Sequence, residues 1–430
     1  MPTAVPPKAK VGHVVLAYSG GLDTSVAIPW IQEQYGAAVT TLTVDVGQQG
    51  ELVGALDRAR TNGARDARLV DAKPTFVEEF LWPAVRANAL YQGIYPLSTA
   101  LARPLIARTL AEIARSVGAD AVAHGCTGKG NDQVRFDVAI ATLAPELTII
   151  APVREWNMNR EAELDYARAH HLEIRTTKRS PYSVDENLWG RSIEGGALED
   201  PDAPAPEEVF QWTGRSDDWP AKPERLVVGF ERGVPVAVDG ARMDPVALVR
   251  TMNARAGRHG VGRIDHVEDR VVGIKSRETY ECPGAVALLE AHRALESLVL
   301  PRDLLSFKAL VDRRFAEIVY EGLWFSPLRE ALAAFVDRTQ EVVSGEVTLS
   351  LFQGKAAAVG RRSSYSLLAP KLATYGTSST FRQDLAVGFI HLYGLANELA
   401  YEKLTEARGN GGRKRGGRSG RAARAVLPPS

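Results

Sequence analysis

Cysteine is scarce in this sequence, since Cys126 and Cys282 are its only two among 430 residues. Two distant cysteines exclude a disulfide framework, and no Cys/His spacing suggests zinc, so we predict no metal site of this kind. The 52 basic residues balance the 52 acidic ones, and a net charge of zero gives no general attraction to nucleic acid or membrane. No apolar run approaches the roughly 20 residues of a membrane span. This usage predicts a globular protein of a reducing cytoplasm.

The two ends of the chain differ from its body. Residues 1–10 contain prolines and lysines without the apolar stretch of a signal peptide, and we expect a flexible N-terminus. Residues 408–430 are predicted to be a disordered basic tail, because they cannot bury enough apolar surface. This tail has seven basic residues and no acidic one, so the remainder of the chain is net acidic by seven charges: Arg408, Arg413, Lys414, Arg415, Arg418, Arg421 and Arg424.

Apolar runs alternate with amphipathic stretches along the first 180 residues. This alternation predicts the α/β class, with a parallel, doubly wound sheet that has helices on both faces, over residues 11–178. Ligands of such sheets bind outside the carboxyl ends of the strands. Strands are predicted at 11–17, 39–46, 67–70, 119–123 and 147–151, and helices after residue 25 and at 51–61, 74–90, 101–117 and 132–143.

The pattern changes after about residue 177. A loop-rich stretch over 195–223 is followed by two predicted hairpins, at 226–238 and 347–359. Helices are predicted at 245–254, 284–298 and 302–320, so residues 179–390 are expected to form an α+β domain. A short amphipathic helix is predicted within residues 391–407, over 392–404.

The first candidate site follows the first predicted strand. Paired glycines let the backbone turn sharply and direct N–H groups at a ligand, and the start of the next helix adds partial positive charge. The lysine and the spacing of a Walker A loop are both absent. The hydroxyl groups can donate to phosphate oxygens, and the aspartate stands where a helix cap or a metal ligand would stand. The segment consists of Ala17, Tyr18, Ser19, Gly20, Gly21, Leu22, Asp23, Thr24 and Ser25.

The second candidate site is a glycine-rich loop between a predicted strand and a predicted helix. Its sequence from His124 to Phe136 is HGCTGKGNDQVRF. Lys129 suits a phosphate, and Arg135 shares a helical face with Asn131 and Asp132. The fork of an arginine suits a carboxylate.

The first loop resembles the S-G-G-x-D-[ST] loop of N-type ATP pyrophosphatases, the PP-loop superfamily. Together, S-G-G-L-D-T-S and H-G-x-T-G-K-G-N-D-Q-V-R-F resemble the argininosuccinate synthase family. Further matches extend the resemblance over residues 11–405, among them Leu101–Pro104, Ser183–Leu188, His259–Asp265 and Lys275–Glu281. It implies an ATP pyrophosphatase domain, then a synthetase domain that also assembles a homotetramer. It also implies that citrulline, aspartate and ATP with Mg²⁺ give argininosuccinate, AMP and pyrophosphate through citrullyl-AMP.

The resemblance also implies roles for individual residues. ATP is expected at residues 17–25, Val44 and Gly125. Asp23 and Asp132 are expected to be catalytic, and Asp132 is placed near the incoming amine, although no obvious general base is present. Ser98, Ala100 and Cys126 depart from the family pattern. Aspartate is expected at Thr127, Asn131 and Asp132, and citrulline at Tyr95, Thr99, Asn131, Arg135, Ser183, Ser192, Glu268 and Tyr280.

Two other functions are alternatives to this one. A tRNA-thiolating ATP pyrophosphatase would need catalytic cysteines and a basic body, and this chain has neither. An RNA-associated nucleotide-binding protein could use the basic tail, because such tails bind phosphates. The polar residues of the two loops make tail binding a supplement at most, so we expect small-molecule partners.

Overall fold

The computed structural model describes residues 11–50, 52–156, 158–174, 181–376 and 379–412, and only the backbone of residues 410–412. The predicted flexible residues 1–10, the predicted domain boundary after residue 178, and the part of the basic tail beyond residue 412 lie outside this range. The chain divides into two compact units, residues 1–367 and 368–430.

A parallel sheet lies at the start of the first unit. Among the described residues its strand order is β3-β2-β1-β4-β5, so β1 pairs with β2 on one side and β4 on the other. The order of the strands reverses between β1 and β4, and the crevice at such a switch point is where ligands bind. The strands are β1 (His13–Ala17), β2 (Ala38–Asp45), β3 (Asp66–Asp71), β4 (Ala121–Ala123) and β5 (Thr148–Ile150).

Helices cover both faces of this sheet, as predicted. Val14 of β1 belongs to a core cluster with Ile28, whereas its neighbour Val15 belongs to the other cluster with Leu101. Successive strand residues point to opposite faces, so an unbroken apolar run is what a sheet buried on both sides requires. The helices are α1 (Leu22–Tyr35), α2 (Leu52–Thr61), α3 (Lys73–Thr75), α4 (Trp82–Arg86), α5 (Ser98–Ser116), α6 (Asp132–Leu143), α7 (Pro152–Glu155) and α8 (Arg160–Ala169).

The helix predicted at 74–90 is interrupted and shorter. A π-helical turn, Phe76–Leu81, joins α3 to α4, and α4 ends at Arg86. The helix cannot continue because Asn88 adopts a left-handed backbone with φ of 42°. Asparagine tolerates this conformation better than most residues.

Two further sheets lie in the rest of the first unit. Within the described range, one has the order β11-β12-β7-β6 and the other β10-β9-β8-β13-β14, and their pairs are antiparallel. The second sheet contains both predicted hairpins. The strands are β6 (Ser183–Asn187), β7 (Gly190–Glu194), β8 (Glu224–Glu231), β9 (Val234–Val238), β10 (Ala241–Arg242), β11 (Arg263–Asp269), β12 (Lys275–Glu281), β13 (Gly345–Phe352) and β14 (Lys355–Arg362).

In the described part of the chain, four more helices and four short 3₁₀ turns complete the first unit, and three of these turns lie in the predicted loop region 195–223. The helix predicted at 302–320 has those bounds, and the others differ from prediction by a few residues or were not predicted. The helices are α9 (Pro245–Arg258), α10 (Pro283–Val299), α11 (Arg302–Tyr320) and α12 (Pro327–Thr339), and the 3₁₀ turns are Gly196–Glu199, Glu207–Val209, Ser216–Asp218 and Gln340–Val342.

The second unit contains the short helix α13 (Pro370–Ala373) and the long helix α14 (Asp384–Gly412). Helix α14 begins before the predicted helix and continues through Gly412, so residues 408–412 are helical rather than disordered. Its apolar side chains are exposed, including those of Phe389, Leu392 and Tyr401. None of the described helices is long and apolar enough to cross a membrane.

Candidate active site

The predicted anion loop lies between β1 and α1. The N–H of Tyr18 donates to the carbonyl of Leu42 over 2.9 Å, which extends the pairing of β1 with β2 by one residue. Gly20 then has φ of 75°, a value that favours glycine, and Gly21 caps α1. The first N–H groups of α1 therefore face the carboxyl edge of the sheet, where they are available to an anion.

The hydroxyl groups of this loop have different environments. Ser19 is exposed, its Oγ is 3.2 Å from Thr24 Oγ1, and it accepts from the N–H of Gly21 over 3.3 Å. Ser25 is buried, with its Oγ 3.0 Å from the hydroxyl of Tyr18. Ser19 can thus reach a ligand directly, whereas the side chains of Ser25 and Tyr18 support the loop from beneath.

The two predicted glycine loops are in contact. A Cβ on Gly125 would lie 3.1 Å from Thr24 Cγ2, so the second loop packs against the start of α1. Val44 is buried near the end of β2, and its carbonyl accepts from Gln48 Nε2 over 2.9 Å. The residues expected at ATP therefore share one edge of the parallel sheet.

A second carboxyl group lies beside Asp23. Glu163 of α8 is buried, and its own burial, together with the negative charge of Asp23, raises the pKa of Glu163 to about 8. Glu163 thus keeps its proton to a higher pH than an ordinary glutamate and hydrogen-bonds to Asp23. The sequence did not single out Glu163.

Asp132 lies at the start of α6 between two arginines. Its Oδ1 is 2.9 Å from Arg135 Nη1, and its Oδ2 is 2.8 Å from Arg103 Nη2. Burial raises the pKa of Asp132, but the two guanidinium groups outweigh it and hold this pKa at about 2. Arg103 also pairs with Asp185 of β6, so one arginine bridges the aspartates from two elements.

A chain of hydrogen bonds joins the second loop to the four-stranded sheet. Asn131 Nδ2 donates to the hydroxyl of Tyr320 over 2.8 Å, and this hydroxyl donates to Glu268 Oε1 over 2.7 Å. The hydroxyl of Tyr280 donates to the other oxygen of Glu268 over 2.8 Å. Asn131, Glu268 and Tyr280, predicted from distant parts of the sequence, therefore meet around Tyr320.

Stacked tyrosines form the wall beside this chain. Tyr95 stacks on Tyr280, with ring centroids 4.1 Å apart, and Tyr91 stacks on Tyr320 at 3.5 Å. The hydroxyl of Tyr95 lies 2.9 Å from Thr99 Oγ1 and accepts from the N–H of Thr99 over 2.9 Å. These residues thus form one buried polar cluster.

The remaining predicted residues lie nearer the surface. Ser192 of β7 is paired with both Tyr280 and Asp185, which places it between β12 and β6. Ser183 is exposed at the start of β6, and Thr127 is exposed in the second loop. Neither hydroxyl has a described hydrogen bond that joins it to the buried cluster.

Sequence reasoning missed Arg103 and Tyr320 as site residues. Arg103 was noticed only as part of a matching segment, and Tyr320 only as the last residue of a predicted helix. The available signal was weak, because each lies on a helix among ordinary apolar residues and becomes informative only when the fold brings it to Asp132 and Glu268. No cluster of three or more His, Cys, Asp or Glu side chains that could hold a metal ion occurs in the described part of the chain.

Comparisons with known proteins match the whole arrangement. The family model described as the arginosuccinate synthase N-terminal HUP domain matches residues 13–173, and the one described as the arginosuccinate synthase C-terminal domain matches residues 182–400. The argininosuccinate synthase of Synechococcus sp. (strain RCC307) is 54% identical over 392 residues, covering 91% of this chain and 97% of the relative.

Relatives from other lineages are similarly close. The argininosuccinate synthase of Dictyoglomus thermophilum is 53% identical, covering 91% of this chain and 98% of the relative. That of Pyrococcus furiosus is 52% identical, covering 91% and 95%. With both family models and nearly full-length relatives in agreement, the chain belongs to the argininosuccinate synthase family of ligases.

Proposed function

We propose that this chain joins citrulline to aspartate at the expense of ATP, with argininosuccinate, AMP and pyrophosphate as products. The observation that carries the proposal is the meeting of three parts at one edge of the parallel sheet. These parts are the loop around Ser19, the loop from Gly125 to Asp132, and the polar cluster around Glu268. The loop around Ser19 is an anion site that suits ATP. The charged side chain of Asp132 and the buried polar cluster around Glu268 suit two amino acids.

The loop around Ser19 is proposed to bind the phosphates of ATP. Its backbone N–H groups at the start of α1 and its exposed hydroxyl supply hydrogen bonds to anionic oxygens. Mg²⁺ prefers oxygen ligands, and the carboxylate of Asp23 beside Ser19 fits the ion that accompanies ATP. When bound, Mg²⁺ would offset negative charge on the phosphates.

Citrulline is proposed to lie against the polar cluster. The buried guanidinium of Arg135 suits its α-carboxylate, and the Glu268 carboxylate suits its α-ammonium group. The tyrosine and serine hydroxyls can bond the neutral ureido group. Buried polar partners reject an analogue that would leave them unpaired.

The first step of the proposed reaction forms citrullyl-AMP. The ureido oxygen attacks the α-phosphorus of ATP, and the bond from this phosphorus to the bridging oxygen breaks as pyrophosphate leaves. The oxygen becomes part of a good leaving group. Positioning and charge neutralisation supply most of the rate in phosphoryl transfer.

The second step joins the amino acids. The amine of aspartate, once it has lost its ammonium proton to solvent, attacks the activated carbon. The carbon–oxygen bond breaks as AMP leaves, and the nitrogen gives up a second proton to solvent, so that the product carries a guanidinium group. We propose that Asp132 stays ionised and accepts hydrogen bonds from this amine. It does not take a proton from the amine, because a carboxylate with a pKa of about 2 is a poor base at neutral pH.

The chain is further proposed to act as a homotetramer in the cytoplasm. Helix α14 exposes apolar side chains between Leu385 and Leu404, and such a surface indicates an interaction site. A neighbouring copy is the proposed occupant. Sedimentation should give four times the chain mass of 46.6 kDa, and truncation before Asp384 should abolish that species. A monomer of the full chain would contradict this.

The proposed reaction is tested by omitting each substrate in turn. With ATP and Mg²⁺, pyrophosphate release should require citrulline, and argininosuccinate and AMP should appear in equal amounts once aspartate is added. Release of orthophosphate, or release that does not depend on citrulline, would contradict the substrate assignment while leaving the ATP loop in place.

A further inference from the structure

A buried cluster of four ionisable side chains joins α10 to α11, away from the residues assigned to the substrates. The amine of Lys308 lies 2.8 Å from both oxygens of Asp312, 3.0 Å from Glu296 Oε1 and 2.8 Å from the carbonyl of Arg86. His292 lies one turn before Glu296 and is completely buried. We call His292, Glu296, Lys308 and Asp312 the quartet.

Two amide side chains fix the hydrogen bonds of the quartet. Asn88 Nδ2 donates to Glu296 Oε2 over 2.6 Å and to Asp312 Oδ2 over 3.1 Å. Gln340 Nε2 donates to Glu296 Oε1 over 2.7 Å. Because both amide nitrogens face carboxylates, both amide oxygens must face the other way, toward His292.

His292 therefore meets two acceptors. Its Nδ1 is 2.7 Å from Asn88 Oδ1, and its Nε2 is 2.8 Å from Gln340 Oε1. An amide oxygen accepts but does not donate, so each contact is a hydrogen bond only if the ring nitrogen carries a proton. A neutral ring would place a lone pair against one buried oxygen, which is costly. The contacts thus select the imidazolium form.

Burial of the ring, together with the cations of Lys308 and Arg86, holds the pKa of His292 below its ordinary value, although the Glu296 carboxylate and the hydrogen bond to Gln340 act to raise it. The two amide contacts, and not the surrounding charges, therefore carry the assignment of the imidazolium form. Arg86 is neutralised by Asp337 at 2.9 Å. Burial raises the pKa of Asp312 to about 7. A protonated His292 and Lys308 together with ionised Glu296 and Asp312 would give the quartet no net charge, which is the condition for burying charges.

The quartet is connected to the candidate active site through Asn88. This residue, held in its left-handed conformation, begins the segment from Asn88 to Leu97 between α4 and α5. The segment carries Tyr91, which stacks on Tyr320, and Tyr95, which stacks on Tyr280. The covalent chain therefore links Asn88 of the quartet's hydrogen bonds to the two stacked tyrosines.

We propose that a protonated His292 completes the neutral quartet and that the quartet positions Tyr91 and Tyr95 for citrulline binding. His292 and its partners are thus positioning residues that act through Asn88. The link to citrulline rests on the proposed function, whereas the protonation of His292 can be tested without any substrate.

Neutron diffraction from crystals of the deuterated full chain at pH 7 tests the protonation directly. Deuterium is expected on both ring nitrogens of His292. His13 serves as an internal reference, because burial and Arg65 lower its pKa and its Nε2 contacts a hydroxyl group, so it should carry one deuterium. A single deuterium on His292 would overturn the charged quartet.

Kinetics test the positioning role. His292→Gln should raise KM for citrulline about tenfold, as expected from the loss of one hydrogen bond to a charged group, with KM for ATP unchanged. His170→Gln, at a partly exposed histidine paired with Glu33, is the control and should leave both values unchanged.

A second variant covers the case in which His292→Gln fails to fold. Asn88→Gly keeps the left-handed backbone and removes the amide, and it should raise KM for citrulline in the same selective way. Equal changes in both KM values, or no change in either, would overturn positioning. Absence of any citrulline-dependent turnover in the unaltered chain would instead refute the proposed function and leave the neutron result standing.

Discussion

Gly190 lies where strand β7 approaches helix α5 closely. A Cβ at this position would lie 2.6 Å from Cys282 Sγ, 2.9 Å from the carbonyl oxygen of Glu281 and 2.9 Å from Ser98 Cβ. Ser98 departs from the glycine expected of the family, and it is accommodated because the residue that faces it is Gly190. The carbonyl of Ser98 also accepts a hydrogen bond from Asn187 Nδ2 over 2.8 Å.

Gly190→Ala should lower the free energy of unfolding by about 3 kcal/mol, because the methyl group cannot fit without movement of backbone and side chains. Urea denaturation measures the difference. Gly388→Ala is the control, since a Cβ there meets nothing within 4 Å. Equal stability of the two variants would show that β7 and α5 can separate freely.

Asp132 is the residue on which both proposed amino-acid sites depend. It neutralises Arg103 and Arg135 together, so its removal leaves two guanidinium groups without their common partner. Asp132→Ala should abolish argininosuccinate formation. The control is Asp165→Ala, at an exposed residue of α8 paired with Arg168. Near-normal turnover of the Asp132 variant would remove this residue from the mechanism.

Glu163 should give the protein a measurable pH dependence. Its pKa of about 8 when folded exceeds that of an unfolded glutamate, so the folded state retains a proton that the unfolded state has lost. Stability must then fall as pH rises from 5 to 8. Glu163→Gln stays neutral and should flatten this part of the curve. The free energies of unfolding of the unaltered chain and of Glu163→Gln, measured at pH 5 and at pH 8, test this prediction. An equal fall in stability for both proteins would contradict it.

At the scale of elements, the parallel sheet could be predicted and the four-stranded sheet could not. Strand β1 is almost entirely apolar, and β2 is buried from Val39 to Val44 by a mixture of apolar residues and threonines, as a sheet covered on both faces requires. Strand β12 reads KSRETYE, yet its last four residues are buried. Glu281 there accepts from Arg191 over 2.8 Å and from the N–H groups of Gln211 and Trp212, so paired polar groups replace the apolar pattern.

The presence or absence of a local sequence pattern also decides which site residues could be predicted. The two glycine loops could be predicted because their sharp turns and close backbone approach require glycine, which few other local structures require. Arg103 and Tyr320 depend on partners more than 25 residues away in sequence, and no local pattern encodes such contacts. The family resemblance supplied Glu268 and Tyr280, whereas composition and periodicity did not.

Helix α11 ends at Tyr320, whose hydroxyl donates to Glu268 of β11 and accepts from Asn131 of the second loop. Tyr320→Phe removes both hydrogen bonds and leaves the stacking on Tyr91. KM for citrulline should rise about tenfold. Thermal unfolding of the variant controls for loss of fold. An unchanged KM would mean that the end of α11 only packs.

At the scale of the whole molecule, the charge of the chain is distributed unevenly. The basic tail offsets a net acidic body, so the overall balance of 52 charges of each sign conceals a local excess. The ion pairs described in the polar site, such as that of Arg103 with Asp132, lie in the first unit.

Deletion of residues 408–430 should therefore leave kcat and KM for all three substrates unchanged. Steady-state kinetics of the shortened and full chains make the comparison. An accompanying filter-binding assay with single-stranded RNA tests the other function considered for the tail. Loss of turnover on deletion would mean that the tail belongs to the catalytic apparatus.

The central claim is that ATP activates the ureido oxygen of citrulline. Citrulline labelled with ¹⁸O at this oxygen, incubated with ATP, Mg²⁺ and aspartate, tests it directly by mass spectrometry of the products. Adenylation followed by attack of the amine predicts one ¹⁸O atom in the phosphate of AMP. Label in pyrophosphate or in orthophosphate, or unlabelled AMP, would contradict the account.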